Sequence, residues 1–80
     1  MNNQTSGIRL KIEGGKMITQ TPMTYSVGNY MVLRWEPGDY EVYNPKTQGC
    51  WTWHKGQQLT NFQIAKECAE WHHNYDQEQI

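Results

Sequence analysis

The C-terminal segment constrains the fold most, because its apolar and polar side chains separate on a helical period. From Asn61 to about Asp76 the apolar positions fill one half of a helix turning ~100° per residue. Thr60 is the expected N-cap, with Gln63 as its capping-box partner. The apolar half comprises Phe62, Ile64, Ala65, Cys68, Ala69, Trp71, His72 and Tyr75. We therefore expect an amphipathic helix that lies with one side on an apolar surface.

That surface should be a β-sheet, because the preceding segments alternate and are separated by turn residues. Tyr30 to Trp35 follows the turn pair Gly28-Asn29, and the Pro-Gly turn at 36–39 leads to a strand over 40–43. A loop at 44–49 precedes a further strand over 50–54. Upstream, residues 8–12 alternate and Gly14-Gly15 joins them to a second short strand. The pattern predicts an α+β fold, an antiparallel β-meander of three to five strands packed against one C-terminal amphipathic helix.

A chain of 80 residues is one small domain. We expect a disordered leader at 1–7, a single domain at 8–76 and a frayed tail at 77–80. Only 36% of residues are hydrophobic, and four Trp and five Tyr supply much of the apolar area. Since the chain lacks the ~20-residue apolar run of a membrane span and an N-terminal apolar run, it is expected to be cytoplasmic and without membrane contact.

Strand alternation assigns the two faces of the predicted sheet. We expect one face to meet the helix through Leu33, Trp35 and the pair Trp51 and Trp53. The predicted core is Met31, Leu33, Trp35, Val42, Trp51, Trp53, Phe62, Ile64, Ala65, Cys68, Ala69 and Trp71. The opposite, exposed face then carries aromatic and polar side chains, namely Tyr30, Arg34, Tyr43, Thr52 and His54, with either Tyr40 or Glu41 beside them.

Two stretches with the pattern Cys-x-x-Trp-His invite a metal interpretation, because they hold both cysteines and two of the three histidines. Cys68 and His72 lie one helical turn apart and share a face. Cys50 and His54, however, would be about 13 Å apart along a strand and should point away from the helix. A four-ligand zinc site is therefore not expected. No triad or phosphate-binding loop stands out either, so we predict no catalytic, cofactor-binding or metal-binding residue and a non-enzymatic protein.

Nucleic-acid binding is the second functional class to weigh. The segment from Gly49 to His72, with its Gly-x-Trp-x-Trp start, a turn at Gly56 and Phe62 before the helical alanines, resembles the plant AP2-type DNA-binding domain and the arm-binding domains of phage integrases. Those families read DNA with a basic sheet face. This chain has seven basic and eight acidic residues and a net charge of −1, so DNA or RNA binding through the sheet face is the alternative function.

The short length, aromatic richness and acidic C-terminal helix are similar to small bacteriophage and prophage proteins that inhibit host polymerases, nucleases or CRISPR machinery. The resemblance implies a protein-binding inhibitor of a host protein or nucleoprotein complex, with an anti-defence or host-takeover role in the host cytoplasm. Aromatic and arginine side chains typically dominate such interfaces. The predicted partner-binding residues are Tyr30, Arg34, Tyr43, Thr52, His54, Glu67 and Glu70. Self-association as a homodimer, through an edge such as 8–12, is a third alternative.

Overall fold

A computed structural model describes residues 9–79 of the chain. The predicted leader at 1–7 lies outside the described residues, as does residue 80. The elements in chain order are β1 (Arg9–Glu13), β2 (Lys16–Gln20), β3 (Met23–Val27), β4 (Tyr30–Glu36), β5 (Asp39–Asn44), β6 (Gly49–Trp51), β7 (Trp53–His54), β8 (Gln57–Gln58) and α1 (Phe62–Glu78). Within this part of the chain, no helix combines the length and apolar character needed to cross a membrane.

The central sheet is an antiparallel meander in the order β3-β4-β5-β6, with α1 packed on it. The predicted α+β class and the predicted turns are confirmed: Gly28-Asn29 joins β3 to β4, and Pro37-Gly38 joins β4 to β5. Gly28 has a φ of 60°, in the left-handed region that favours glycine. The N-terminal strands form a separate two-stranded sheet through the predicted Gly14-Gly15 turn.

The face of the sheet that meets the helix is the opposite of the predicted one. Tyr30 and Val32 of β4 lie in the core beneath α1, together with Val42, Leu59, Ala65, Cys68 and Ala69. Leu33 and Trp35 point to the other side, yet they are also buried. Because β4 is buried on both faces, its alternation does not indicate which face the helix covers.

The far face of the sheet is built around Trp35. Its indole Nε1 donates a 2.9 Å hydrogen bond to the buried carboxylate of Glu41, and Nη2 of Arg9 donates to the same oxygen at 3.3 Å. The Arg9 guanidinium also stacks on the Trp35 ring, 4.1 Å from its centroid, and pairs with Asp39 at 2.9 Å. These contacts attach the β1–β2 hairpin to the sheet through one of its sides.

The other side of that hairpin is apolar and exposed. The register places Leu10, Ile12 and Met17 on a common side, where all three are largely in water.

The predicted strand over 50–54 is broken at Thr52, which separates β6 from β7. The Thr52 carbonyl accepts a 2.9 Å hydrogen bond from the backbone N–H of Leu59, whose own carbonyl accepts from Tyr40 N–H at 3.1 Å. Leu59 is 1% exposed. The segment that leads from β8 to α1 therefore covers the core at the point where a continuous strand was expected. As a result Trp51 packs against the core, whereas Trp53 is 58% exposed. The prediction that both tryptophans are core anchors is wrong for Trp53.

The helix begins one residue later than its predicted cap implied. Asn61 is the N-cap, and its side-chain oxygen accepts a 3.0 Å hydrogen bond from Ile64 N–H. Gln63 is therefore not a capping-box partner and instead donates to Glu67 at 2.9 Å. The helix continues to Glu78, two residues past the expected end. Ala65, Cys68 and Ala69 form its buried stripe, while Phe62 and Trp71 are exposed at 40% and 45%, contrary to prediction.

Candidate interaction surface

Five ring-bearing side chains gather where α1 passes the β7–β8 turn, and we call this set the aromatic cluster: Trp53, His54, Trp71, His72 and Tyr75. Two come from β7 and three from the second half of α1. The break at Thr52 turns β7 out of the central sheet, which brings its side chains beside the helix. The cluster therefore depends on a local departure from regular strand geometry.

Four of the cluster rings, those of His54, Trp71, His72 and Tyr75, contact one another. Trp71 and Tyr75 are one helical turn apart and stack with centroids 5.4 Å apart at an interplanar angle of 6°. His54 meets Trp71 edge-on at 6.2 Å, and His72 meets it at 5.1 Å and 84°. Stacked and edge-to-face pairs at these separations are favourable for aromatic rings. The exposed rings of Trp71 and Tyr75 are therefore ordered by their neighbours.

His72 anchors the cluster to the core. Its imidazole lies 4.2 Å from the Trp51 ring and 5.6 Å from the Tyr30 ring, between centroids. Burial lowers the pKa of His72, the nearby His54 lowers it further, and Asp76 acts in the opposite direction. The neutral imidazole is therefore the favoured form of this ring.

Tyr30 lies under this arrangement and is buried, so its predicted exposure on the sheet face is wrong. Its hydroxyl donates a 2.5 Å hydrogen bond to Asp76 near the end of α1. Burial and this carboxylate raise the pKa of Tyr30. The contact joins β4 to the last turns of the helix and so fixes the helix segment that carries Trp71 and Tyr75.

The outer surface of the cluster is accessible. Trp53, Trp71 and Tyr75 expose 58%, 45% and 49% of their area. A depression of about 260 Å³ is lined by cluster residues and Lys55, and a second of about 200 Å³ lies between Trp71, Tyr75 and Glu78. Large apolar rings around shallow depressions are typical of protein-binding surfaces.

Of the predicted partner-binding residues, only His54 belongs to the cluster, and it lies on the helix side of the molecule, contrary to its predicted orientation. Arg34 lies on the same side of the sheet but in a different groove. Tyr43 is half-buried and pairs with Cys50 on the far face, while Thr52 is exposed at the strand break.

The two predicted acidic residues of the helix lie outside its buried stripe. Glu67 accepts from Gln63, and Glu70 lies 3.8 Å from Lys66 in an ion pair. Lys66 thus partly balances the charge of Glu70, whereas Glu67 is hydrogen-bonded to a neutral amide.

Sequence reasoning missed Trp53, Trp71 and Tyr75 as surface residues. A signal existed for Trp71, which lies at the border of the apolar half of the helix. Tyr75 gave no such signal, because at ~100° per residue it lies only about 20° from the buried Cys68. At ~100° per residue, Trp71 points about 180° away from Phe62, so a single flat surface cannot bury both. The exposure of Trp53 had no such signal, since it results from the break at Thr52.

The two Cys-x-x-Trp-His stretches bring their histidines together and keep their cysteines apart. Cys50 lies on the far face, where its thiol donates to Glu41, whereas Cys68 lies on the buried side of the helix. Burial raises the pKa of the Cys68 thiol to about 11, which makes it a small core side chain. Among residues 9–79, no three histidine, cysteine, aspartate or glutamate side chains gather as metal ligands.

Comparison of the chain with models of protein families, with curated proteins and with solved structures found no match.

Proposed function

We propose that this protein is a non-enzymatic protein-binding module whose main contact surface is the aromatic cluster. The observation that carries the proposal is the exposure of the stacked Trp71 and Tyr75 rings, with the exposed Trp53 beside Trp71. Tryptophan and tyrosine are enriched among residues that dominate interface energies. They also lose little conformational entropy on binding when their rings are already held in place.

The resemblance to small bacteriophage proteins supports a more specific form of the proposal. In that form the module inhibits a host protein or nucleoprotein complex in the host cytoplasm, as an anti-defence or host-takeover factor. The charge distribution supports a protein surface over nucleic acid as the direct contact. Arg9, Lys11 and Lys66 are engaged in ion pairs with carboxylates of the same chain, which leaves fewer cations for phosphate contacts.

The test is a quantitative pull-down from a nuclease-treated extract of a bacterial host, with the tagged chain as bait. We expect a discrete set of captured proteins, lost in the double variant Trp71→Ser/Tyr75→Ser. Each ring, if it acts as a hot spot, contributes about 2 kcal/mol, or roughly 30-fold in affinity. The matched control is Gln63→Ala/Gln77→Ala, which changes two exposed side chains of the same helix and should retain the captured proteins.

Circular dichroism and thermal melting of both double variants show whether each keeps its fold. Equal capture by both variants would contradict the proposal. A salt-sensitive shift of duplex DNA that is lost in Arg34→Ala/Lys55→Ala would instead support the nucleic-acid alternative. Concentration-dependent light scattering tests self-association, which stays a prediction.

A further inference from the structure

A second surface lies on the other flank of the helix, beside β3. This surface is a groove of about 300 Å³. Its lining residues are Met23, Thr24, Tyr25, Val32, Arg34, Tyr40 and Phe62. We call it the β3 groove. The Tyr25 and Phe62 rings meet edge-on with centroids 5.2 Å apart, which fixes the wall between strand and helix. The lining is mostly apolar, and Arg34 supplies its single formal charge.

The groove runs along a free strand edge. β3 is the outer strand of the central sheet, and within residues 9–79 only β4 pairs with it. Four of its five residues are exposed. The register sets Met23 opposite Arg34 and Tyr25 opposite Val32, so Met23 and Tyr25 project toward the groove. An edge of this kind presents backbone N–H and C=O groups to an incoming strand.

Arg34 gives the groove its chemical selectivity. The side chain is half-buried, and its Nη1 makes a weak 3.6 Å contact with Met23 Sδ. Among residues 9–79 no carboxylate lies within ion-pair distance of it, in contrast to Arg9, which pairs with Asp39 and Glu41. A partly desolvated guanidinium without an anion is a ready partner for a carboxylate, which it can bind through two parallel hydrogen bonds.

We propose that the β3 groove binds an extended, largely apolar segment of a partner protein that carries one acidic side chain, as an added strand on the edge of β3. Backbone hydrogen bonds to β3 hold the segment, and side chains on its groove-facing side follow every second residue. One of these is an Asp or Glu that reaches Arg34 across Met23. A neighbouring apolar side chain fills the space between Tyr25 and Phe62.

The charge of Arg34 and the free edge of β3 together favour a strand that carries an acidic side chain. A basic strand would leave Arg34 opposed by like charge, and a purely apolar strand would bury it without an anion. The site is separate from the aromatic cluster, because Phe62 and Trp71 point about 180° apart on α1. The proposal for the β3 groove can therefore be confirmed or refuted independently of the function proposed for the aromatic cluster.

The experiment is selection of a displayed random heptapeptide library on the intact chain, followed by fluorescence anisotropy with the enriched peptides. We expect enriched peptides to carry one acidic residue flanked by alternating apolar residues. Replacing that acid with its amide, or Arg34 with Gln, should weaken binding about tenfold, as expected for a lost charge-assisted hydrogen bond. Lys46→Gln removes an exposed charge in the β5–β6 loop and serves as the matched control with unchanged binding.

Backbone amide shifts locate the bound peptide. We expect the largest changes over 23–27 and their loss when the peptide carries proline at alternate positions, since proline cannot donate to the strand. Absence of enriched peptides, enrichment without an acid, equal binding to Arg34→Gln, or shifts confined to Trp71 and Tyr75 would each overturn the proposal. Melting curves for Arg34→Gln matched to the parent chain ensure that lost binding reports the groove.

Discussion

Leu59 provides the sharpest test of how this small core is closed. The side chain is 1% exposed and belongs to the core cluster beneath α1, although it lies in a connecting segment rather than in a strand or the helix. Truncation of a fully buried leucine to alanine costs about 2–5 kcal/mol, from lost transfer free energy and the cavity that remains. Leu59→Ala leaves the backbone hydrogen bonds to Thr52 and Tyr40 in place, so the loss measures the side chain.

The expected loss is a large share of the total. At ~0.05–0.15 kcal/mol per residue, a domain of this size has a free energy of unfolding of about 4–12 kcal/mol. At ~4–8 °C per kcal/mol, a 3 kcal/mol loss lowers Tm by about 12–24 °C. Urea unfolding followed by tryptophan fluorescence measures the free energy, and calorimetry measures Tm.

The chain also contains the control for this substitution. Leu10 is 63% exposed on the β1–β2 hairpin, so Leu10→Ala makes the same chemical change with an expected effect within about 0.5 kcal/mol. The difference between the two variants isolates burial. Equal effects at the two positions, or a loss below about 1 kcal/mol at Leu59, would refute the described closure of the core.

Three further predictions concern the cap, a histidine and a turn. Asn61→Ala should lower the free energy of unfolding by about 1 kcal/mol, and Thr60→Ala by a few tenths, because Asn61 is the N-cap; the reverse order in urea unfolding would move the cap back to Thr60. Burial lowers the pKa of His72, so the folded state binds a proton at this ring less readily than the unfolded state. The stability that neutral His72 contributes should be complete above its ordinary pKa of 6.5 and should decline as pH falls below that value toward the lower folded pKa. Between pH 7.5 and 5, the free energy of unfolding of His72→Phe should therefore fall less than that of the parent chain. Equal decreases in urea titrations would contradict this. Gly28→Ala should cost more than 1 kcal/mol in thermal unfolding, because Gly28 has a φ of 60° and an added Cβ would meet the His73 ring; a neutral result would place that ring elsewhere.

The elements whose signals are local could be predicted from the sequence. The helix follows from side-chain periodicity, and the hairpins follow from Gly28-Asn29 and Pro37-Gly38, whose backbone preferences act within a few residues. The position of the cap was missed by one residue because Thr60 and Asn61 both have capping side chains. Only the geometry of the first turn distinguishes them.

Features that depend on contacts between distant residues were not predictable in this way. Which face of β4 meets the helix depends on the fact that Trp35 is covered from the far side by Arg9 and Glu41. The break at Thr52 coincides with the hydrogen bond that its carbonyl accepts from the backbone N–H of Leu59, seven residues later. The position of the aromatic cluster depends both on which face of β4 meets the helix and on the break at Thr52. The predicted site residues and the observed surface therefore share only His54.

The break at Thr52 has a consequence for how copies of this protein can assemble. A sheet with two long open edges can join copies edge to edge without limit, as in fibrils. Here the β6 edge is three residues long and the chain then bends away, whereas the β3 edge has five residues. Among residues 9–79, the central sheet therefore has one long edge for strand addition. Two copies paired through their β3 edges would present only the short β6 edges outward, which disfavours continued edge-to-edge growth of this sheet.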